Sequence, residues 1–226
     1  MTAWCLVQLC SRSIAVEQNF PPIVCGSVTN LLDKGRGKFR NILLMGPANS
    51  AKNFPLQPLT VIFETFSNPT TATFAWVGAE HSEVIFLNDF HWSPQMKPWH
   101  DLLLMLAGQP VQLPAPKSHF CKDILFHKDT PIFGTSKHEL VFVRGGVVDE
   151  KETEMMQVRW RIFHLSHQIR QQNRRAVPPC GKCFARLVLS ESVTEAENIA
   201  NSRLTIATCQ SNQNLSQRSW ECPPPR

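Results

Sequence analysis

The chain has 226 residues, 42% of them hydrophobic and 18% charged, with a formal charge of +5 at neutral pH and 17 prolines. That length holds one α/β domain with ragged ends rather than two full domains, and the apolar share excludes a disordered polyelectrolyte. The mild positive balance permits contact with phosphates, no apolar run reaches bilayer length, and eight cysteines without a regular framework argue for reduced thiols inside the cell.

Residues 1 to about 30 carry little pattern: Met1 to Leu9 is apolar, Phe20-Pro21-Pro22 interrupts any helix, and Val28 to Leu32 suits a short helical turn. Lys34-Gly35-Arg36-Gly37-Lys38-Phe39-Arg40 is a basic, glycine-rich lead into the first strand. It reads as a solvated connection, or as a surface touching nucleic acid or a neighbouring subunit.

The stretch that organises the chain comes next. An apolar run from Ile42 to Met45 ends in Gly46-Pro47-Ala48-Asn49-Ser50-Ala51-Lys52-Asn53, as in a strand feeding a phosphate-cradling loop. In such a loop consecutive amides converge on an anion, a helix N-terminus stands behind them, and a lysine reaches the outer phosphates. The spacing from Gly46 to Lys52 is the one the motif demands. Ala51 stands where a second glycine is expected, and Asn53 where a hydroxyl would hold Mg2+.

Leu56 to Phe66 suits the helix behind that loop, and Phe74-Ala75-Trp76-Val77-Gly78 an exposed edge or an aromatic lining. Glu83 to Phe90 is a β-rich apolar run, expected to be buried on both faces and to end in Asn88 and Asp89 at the sheet edge where ligands gather. Asp89 is the candidate to hold the metal opposite the phosphate loop. Pro98 to Ala107 forms a compact helix stopped by Gly108; Gln109 to Pro116 suits a projecting hairpin with Lys117, Ser118 and His119 at its tip. Ile132 to Lys137 is a third strand ending in small polar residues, where Ser136 and Lys137 would sense the γ-phosphate. Val141 to Gly146 is a short strand and turn, and the later half of Met155 to Leu165 alternates like a strand, with Arg159 and Arg161 at its start. Beyond Gln168 the pattern decays into a turn at Pro178 to Cys183, one amphipathic stretch from Ser190 to Ile199, and a tail of disordered composition.

Taken in this order, the motifs resemble those of a superfamily 3 helicase domain, most closely the ATPase module of parvovirus-like non-structural replication proteins. The carrying residues are Gly46 to Lys52 for Walker A, Val84 to Asp89 for Walker B, Leu106 to Val111 with Lys117 and His119 for the hairpin motif, and Thr130 to Lys137 for sensor 1. The resemblance implies an α/β, three-layer P-loop NTPase core of the AAA+ kind with a mostly parallel central sheet. It would cover residues 34–168, with 1–33 a partly helical N-terminal extension and 169–226 a largely irregular C-terminal one. It further implies ATP and Mg2+ as cofactors, single-stranded DNA as partner, a homo-oligomeric ring, usually a hexamer in that family, no membrane, and an intracellular, nuclear location. Carried over by position, Lys52 meets the β- and γ-phosphates, Asp89 the metal, and Lys117 with His119 the DNA backbone, while Arg161 is the finger reaching a neighbour's nucleotide and Arg159 the second choice. Ala51, Asn53, Asn88 and Lys137 depart from the family pattern. No His-x-His pair occurs in the chain, so strand nicking is expected to come from another protein.

Two readings follow from these residues: an ATP-dependent DNA translocase, or a catalytically inactive remnant that binds nucleotide, DNA or its own copies. Separately, His164-x-x-His167 with Cys180-x-x-Cys183 has spacings resembling a zinc site, although a strand continuing through His164 would turn the two histidines to opposite faces; two reduced surface thiols are the plainer reading. The tryptophans could stack on bases but more often fill a core.

Overall fold

The structure, a computed structural model, describes residues 21–67, 74–94, 97–114, 123–166, 168 and 178–189. Its centre is a five-stranded sheet in the order β2-β3-β6-β1-β9, built from β1 (Asn41–Met45), β2 (Thr65–Ser67), β3 (Val84–Leu87), β6 (Ile132–Ser136) and β9 (Trp160–His164), every neighbouring pair parallel. Two of the three central strands, β1 and β3, are the apolar runs of the sequence and the third, β6, is the strand ending in small polar residues; every residue of β1, β3 and β6 is buried, as a parallel sheet covered on both faces requires.

Alternation along those strands divides the core into two halves. Leu43, Ile85, Leu87 and Ile132 face one layer, which contains α3 (Trp99–Leu106) through Leu102, Leu103, Met105 and Leu106. Ile42, Leu44, Val84, Phe86 and Phe133 face the other, covered by Val24, Val28 and Leu31 of α1 (Pro21–Lys34) and by Leu59 of α2 (Leu59–Ile62). The arrangement is therefore three-layered, with a sheet that is parallel throughout lying between helices, in line with the mostly parallel α/β core expected.

Two small antiparallel pairs stand outside the sheet. β4 (Val111–Leu113) pairs with β5 (Ile124–Phe126), Val111 opposite Phe126, and forms the two sides of the expected hairpin; its tip, with Lys117 and His119, lies outside the described residues. β7 (Val143–Arg144) pairs with β8 (Val147–Val148) across the Gly145-Gly146 turn, ahead of α4 (Glu150–Gln157), whose first turn is capped by the Asp149 carboxylate accepting from the Glu152 amide.

Four local expectations are corrected. Pro21 and Pro22 open α1 rather than interrupting it, because a first-turn proline lacks only an N–H that the helix would leave unpaired, so the helix runs for 14 residues instead of one turn. The helix expected behind the phosphate loop shrinks to the four residues of α2: residues 52–58 are turns, and Pro55 and Pro58 each remove a helical donor. Residues 74–81 are turns as well, with Trp76 fully buried and stacked on Phe66 at 5.7 Å, not an exposed edge. Finally, residues 181–189 form a further helix, α5, where a turn was expected; Val188 is buried in the second core half, with Phe184 and Leu187 packed against it.

Candidate functional site at the carboxyl rim of the sheet

Register brings three of the motifs to one edge. Met45 lies opposite Ser136, Leu43 opposite Gly134, and Gly134 opposite Leu87, so residues 46–53, Asn88-Asp89 and Ser136-Lys137 all leave the sheet at its carboxyl rim. The loop's first turn is tightly set: the Gly46 amide donates to the Ser136 carbonyl at 3.1 Å, and a side chain at Gly46 would collide with the Leu165 carbonyl. Beyond Gly46, among the described residues, no acceptor takes the amides of residues 48 to 53.

Backbone conformation is unusual here. Of the four non-glycine residues at positive φ among those described, Asn49 (65°), Ala51 (57°) and Asp89 (47°) belong to this rim. Ala51 thus occupies the left-handed conformation that explains why the motif prefers glycine there, and its methyl group costs about 1 kcal/mol.

Lys52 is the centre of the arrangement. It is only 6% exposed, its Nζ donates to the Pro47 carbonyl at 3.2 Å, and it lies 3.6 Å from Asp89 Oδ1. The Asp89 side chain is 46% exposed, so the pair stands at the boundary between core and solvent. Two oxygens nearby in sequence, Ser50 Oγ and Asn53 Oδ1, are buried without a hydrogen-bond partner among the described residues. Burying such an atom unpaired costs about 1–3 kcal/mol, so loops retain them where something else supplies the partner.

Thr135 organises the acid's side of the rim, a role the sequence reading missed. Its hydroxyl accepts from the Asp89 amide at 2.8 Å and donates to Asn88 Oδ1 at 3.2 Å, while its carbonyl accepts from the Phe90 amide at 2.7 Å. Asn88 therefore holds the turn. Ser136, named as sensor, is buried, and its hydroxyl donates to its neighbour's carbonyl, His138 O, at 2.6 Å; Lys137 beside it is exposed. The signal that would have found Thr135 is its place one residue inside the end of the strand between β1 and β3.

The arginines separate clearly. Arg161 sits on the edge strand β9 opposite Ile42, half-buried, with its guanidinium 5.9 Å above the Phe163 ring. Four residue steps of strand separate that register position from Gly46, about 13 Å, so within one chain Arg161 does not reach the loop. Arg159 is 9% exposed and donates to the Leu103 carbonyl at 2.7 Å and to that of Met155; burial draws its guanidinium below the usual range, partly offset by Glu152, and it is structural. The basic lead before β1 is likewise not a solvated connection at Arg36. That side chain is 0% exposed, donating to the carbonyls of Lys128 (3.0 Å) and Met105 (2.7 Å) with its face 4.5 Å from the Phe126 ring. Burial pulls it down to about 10, with Asp129 opposing, so it remains charged at neutral pH.

The described tryptophans belong to the core. Trp76, Trp99 and Trp160 are buried, Trp99 donates to Glu152 at 2.9 Å, and Trp92 lies against Trp99 at 4.9 Å. Among the described residues no group of three or more His, Cys, Asp or Glu side chains could hold a metal ion, and no helix is long and apolar enough to cross a membrane. His167 of the zinc-like spacing lies outside the described residues, and His164 ends β9 exposed. Compared with known proteins, the sequence matches no family model and no curated protein.

Proposed function

We propose that residues 34–168 form a nucleotide-binding domain of the superfamily 3 helicase kind, taking ATP with Mg2+ at the loop 46–53. The observation that carries this reading is the Lys52–Asp89 contact of 3.6 Å at the carboxyl rim. It joins a loop lysine to a strand-ending carboxylate across the intervening strand β6, and it leaves the ammonium with one neutral carbonyl as its only hydrogen-bond acceptor among the described residues. A triphosphate offers that ammonium more charge than the Pro47 carbonyl does, and among the described residues the amides of residues 48–53 have no acceptor to give up.

The residues present fit a magnesium ion as well. Asn53 Oδ1, at the position where the family's hydroxyl stands, is a buried oxygen with no partner among the described residues, and Asp89 supplies a half-exposed carboxylate; hard oxygen donors of this kind suit Mg2+. When bound, the ion would neutralise charge on the outer phosphates. Asp89 is held toward the rim by Thr135, Lys52 orients the phosphates, and Gly46 fixes where the loop begins. Single-stranded DNA would be gripped by the β4–β5 hairpin through Lys117 and His119. A homo-oligomeric ring would bring Arg161, on the edge strand, to a neighbour's nucleotide.

A second reading is favoured by specific observations. Ala51 in a left-handed conformation, the four-residue α2 in place of a full helix behind the loop, and Ser136 bonded to its neighbour all remove parts that turnover uses. On this reading the chain is a catalytically inactive remnant that still binds nucleotide. Equilibrium binding of labelled ATP beside a phosphate-release assay separates the two: binding with turnover selects the helicase-like ATPase, binding without it the remnant, and no binding removes both.

A further inference from the structure

Cys180-Gly181-Lys182-Cys183 stands apart from the rim and is used by none of the chemistry above. Pro178 and Pro179 lead into it, Cys180 immediately precedes α5, and the Phe184 amide donates to the Cys180 carbonyl at 3.1 Å, closing the first turn. The two sulfurs are 3.1 Å apart and the Cys183 amide lies 3.5 Å from Cys180 Sγ. Both side chains are half-buried and both thiols are free.

This is a built site rather than a loose tail. Gly181 lies against α2 so closely that a Cβ there would stand 2.8 Å from Ile62 Cγ1, and Val188 anchors the same helix in the core. The helix that carries Cys183 is therefore held by packing at its start, through Gly181, and near its end, through Val188.

The distance discriminates between two chemistries. Two thiolates on one tetrahedral zinc, each about 2.3 Å from the metal, stand about 3.8 Å apart, wider than the separation here. Sulfurs at 3.1 Å need only about 1 Å of closure to reach the length of a covalent bond. We propose that Cys180 and Cys183 are a redox-active dithiol that closes reversibly into an intrachain disulfide, with Cys180 the attacking sulfur and Cys183 the resolving one.

The oxidant is a low-molecular-weight disulfide such as oxidised glutathione. The Cys180 thiolate attacks one of its sulfurs, forming a mixed disulfide and releasing one thiolate. The Cys183 thiol then loses its proton, its sulfur attacks Cys180 Sγ, and the second small thiolate leaves. Two protein thiols are oxidised by two electrons, and one small disulfide is reduced to two thiols. The assignment of roles agrees with the surroundings: the hydrogen bond with Cys183, its amide and then Lys182 draw the Cys180 thiol below the ordinary range, whereas the contact with Cys180 raises Cys183.

The test equilibrates the purified full chain in glutathione buffers of graded ratio, traps free thiols by alkylation at acid pH, and quantifies the 178–189 peptide by mass spectrometry. The expected result is a Cys180–Cys183 disulfide that reopens on return to reduced glutathione, with Cys183→Ser accumulating a Cys180–glutathione mixed disulfide and Cys180→Ser forming little adduct at Cys183. At neutral pH the first thiol should alkylate on the order of tenfold faster than the second. Two thiols that stay reduced, or pair only with other cysteines, in oxidising buffer would overturn the proposal. So would stoichiometric zinc released when both are alkylated.

Discussion

Two buried cations of this fold are placed in opposite situations. Arg36 has a bond from each of its three nitrogens to a carbonyl, the farthest 92 positions away along the chain, with an aromatic face and a nearby carboxylate around it. Lys52 is nearly as deeply set, yet among the described residues it has one carbonyl and one half-exposed carboxylate, and its loop holds two further oxygens without partners there. The first is finished by the fold and contributes stability. The second is left short of partners at a rim where a ligand can complete it, so burial of a positive charge alone does not distinguish the two roles; the completeness of its bonding does.

The largest way to break this contrast is Arg36→Met, which keeps the stem and removes the donors. It should lower unfolding free energy by about 3–5 kcal/mol, read as a shifted midpoint in denaturant, because it leaves several carbonyls unpaired. Lys52→Met in the same experiment should change stability by no more than about 1 kcal/mol, since its carboxylate partner is wet. Equal losses at the two sites would remove the distinction.

A smaller effect is expected at Thr135. Thr135→Val keeps the shape of the strand end but leaves the Asp89 amide without its hydroxyl acceptor, at a cost of about 1–2 kcal/mol. If Asp89 acts from the position this bond holds, magnesium-dependent nucleotide affinity falls in the same variant, whereas magnesium-independent binding stays nearly level.

The mildest change is Ala51→Gly. Relief of the left-handed alanine and the greater freedom of glycine in the unfolded chain nearly cancel, leaving stability within about 0.5 kcal/mol of the parent. Affinity for nucleotide should rise several-fold, because removing the methyl group opens the loop to a closer approach by phosphate. A fall in affinity would show that the alanine is an adapted part of this loop.

How much of this was legible in the sequence follows the range of the forces involved. β1 and β3 were readable because a strand buried on both faces writes itself as an apolar run, β6 because Ile132-Phe133 leads into small polar residues, and Gly46 to Lys52 because the motif is local. The hairpin flanks were readable from the prolines around β4. Arg36 was not, since nothing near it in sequence names the carbonyls of Met105 or Lys128 that enclose it. Thr135 escaped because its partner, Asp89, is 46 residues away and joined to it only by strand order. The shortening of the helix behind the loop was written in Pro55 and Pro58, but the phosphate-loop pattern argued for a helix there. The start of α5 was hidden for the opposite reason: Pro178, Pro179 and Gly181 read as a turn, and only packing against Ile62 shows why a helix begins at that glycine.

The central claim is that Lys52 is held in reserve for phosphate. Calorimetric titration of ATP with Mg2+ into the parent and into Lys52→Ala tests it most directly. The account predicts saturable one-site binding to the parent and a loss of at least about tenfold in the variant, equivalent to about 1.4 kcal/mol, with an unchanged unfolding transition. Equal affinity in the two proteins, or no heat from either, would contradict it.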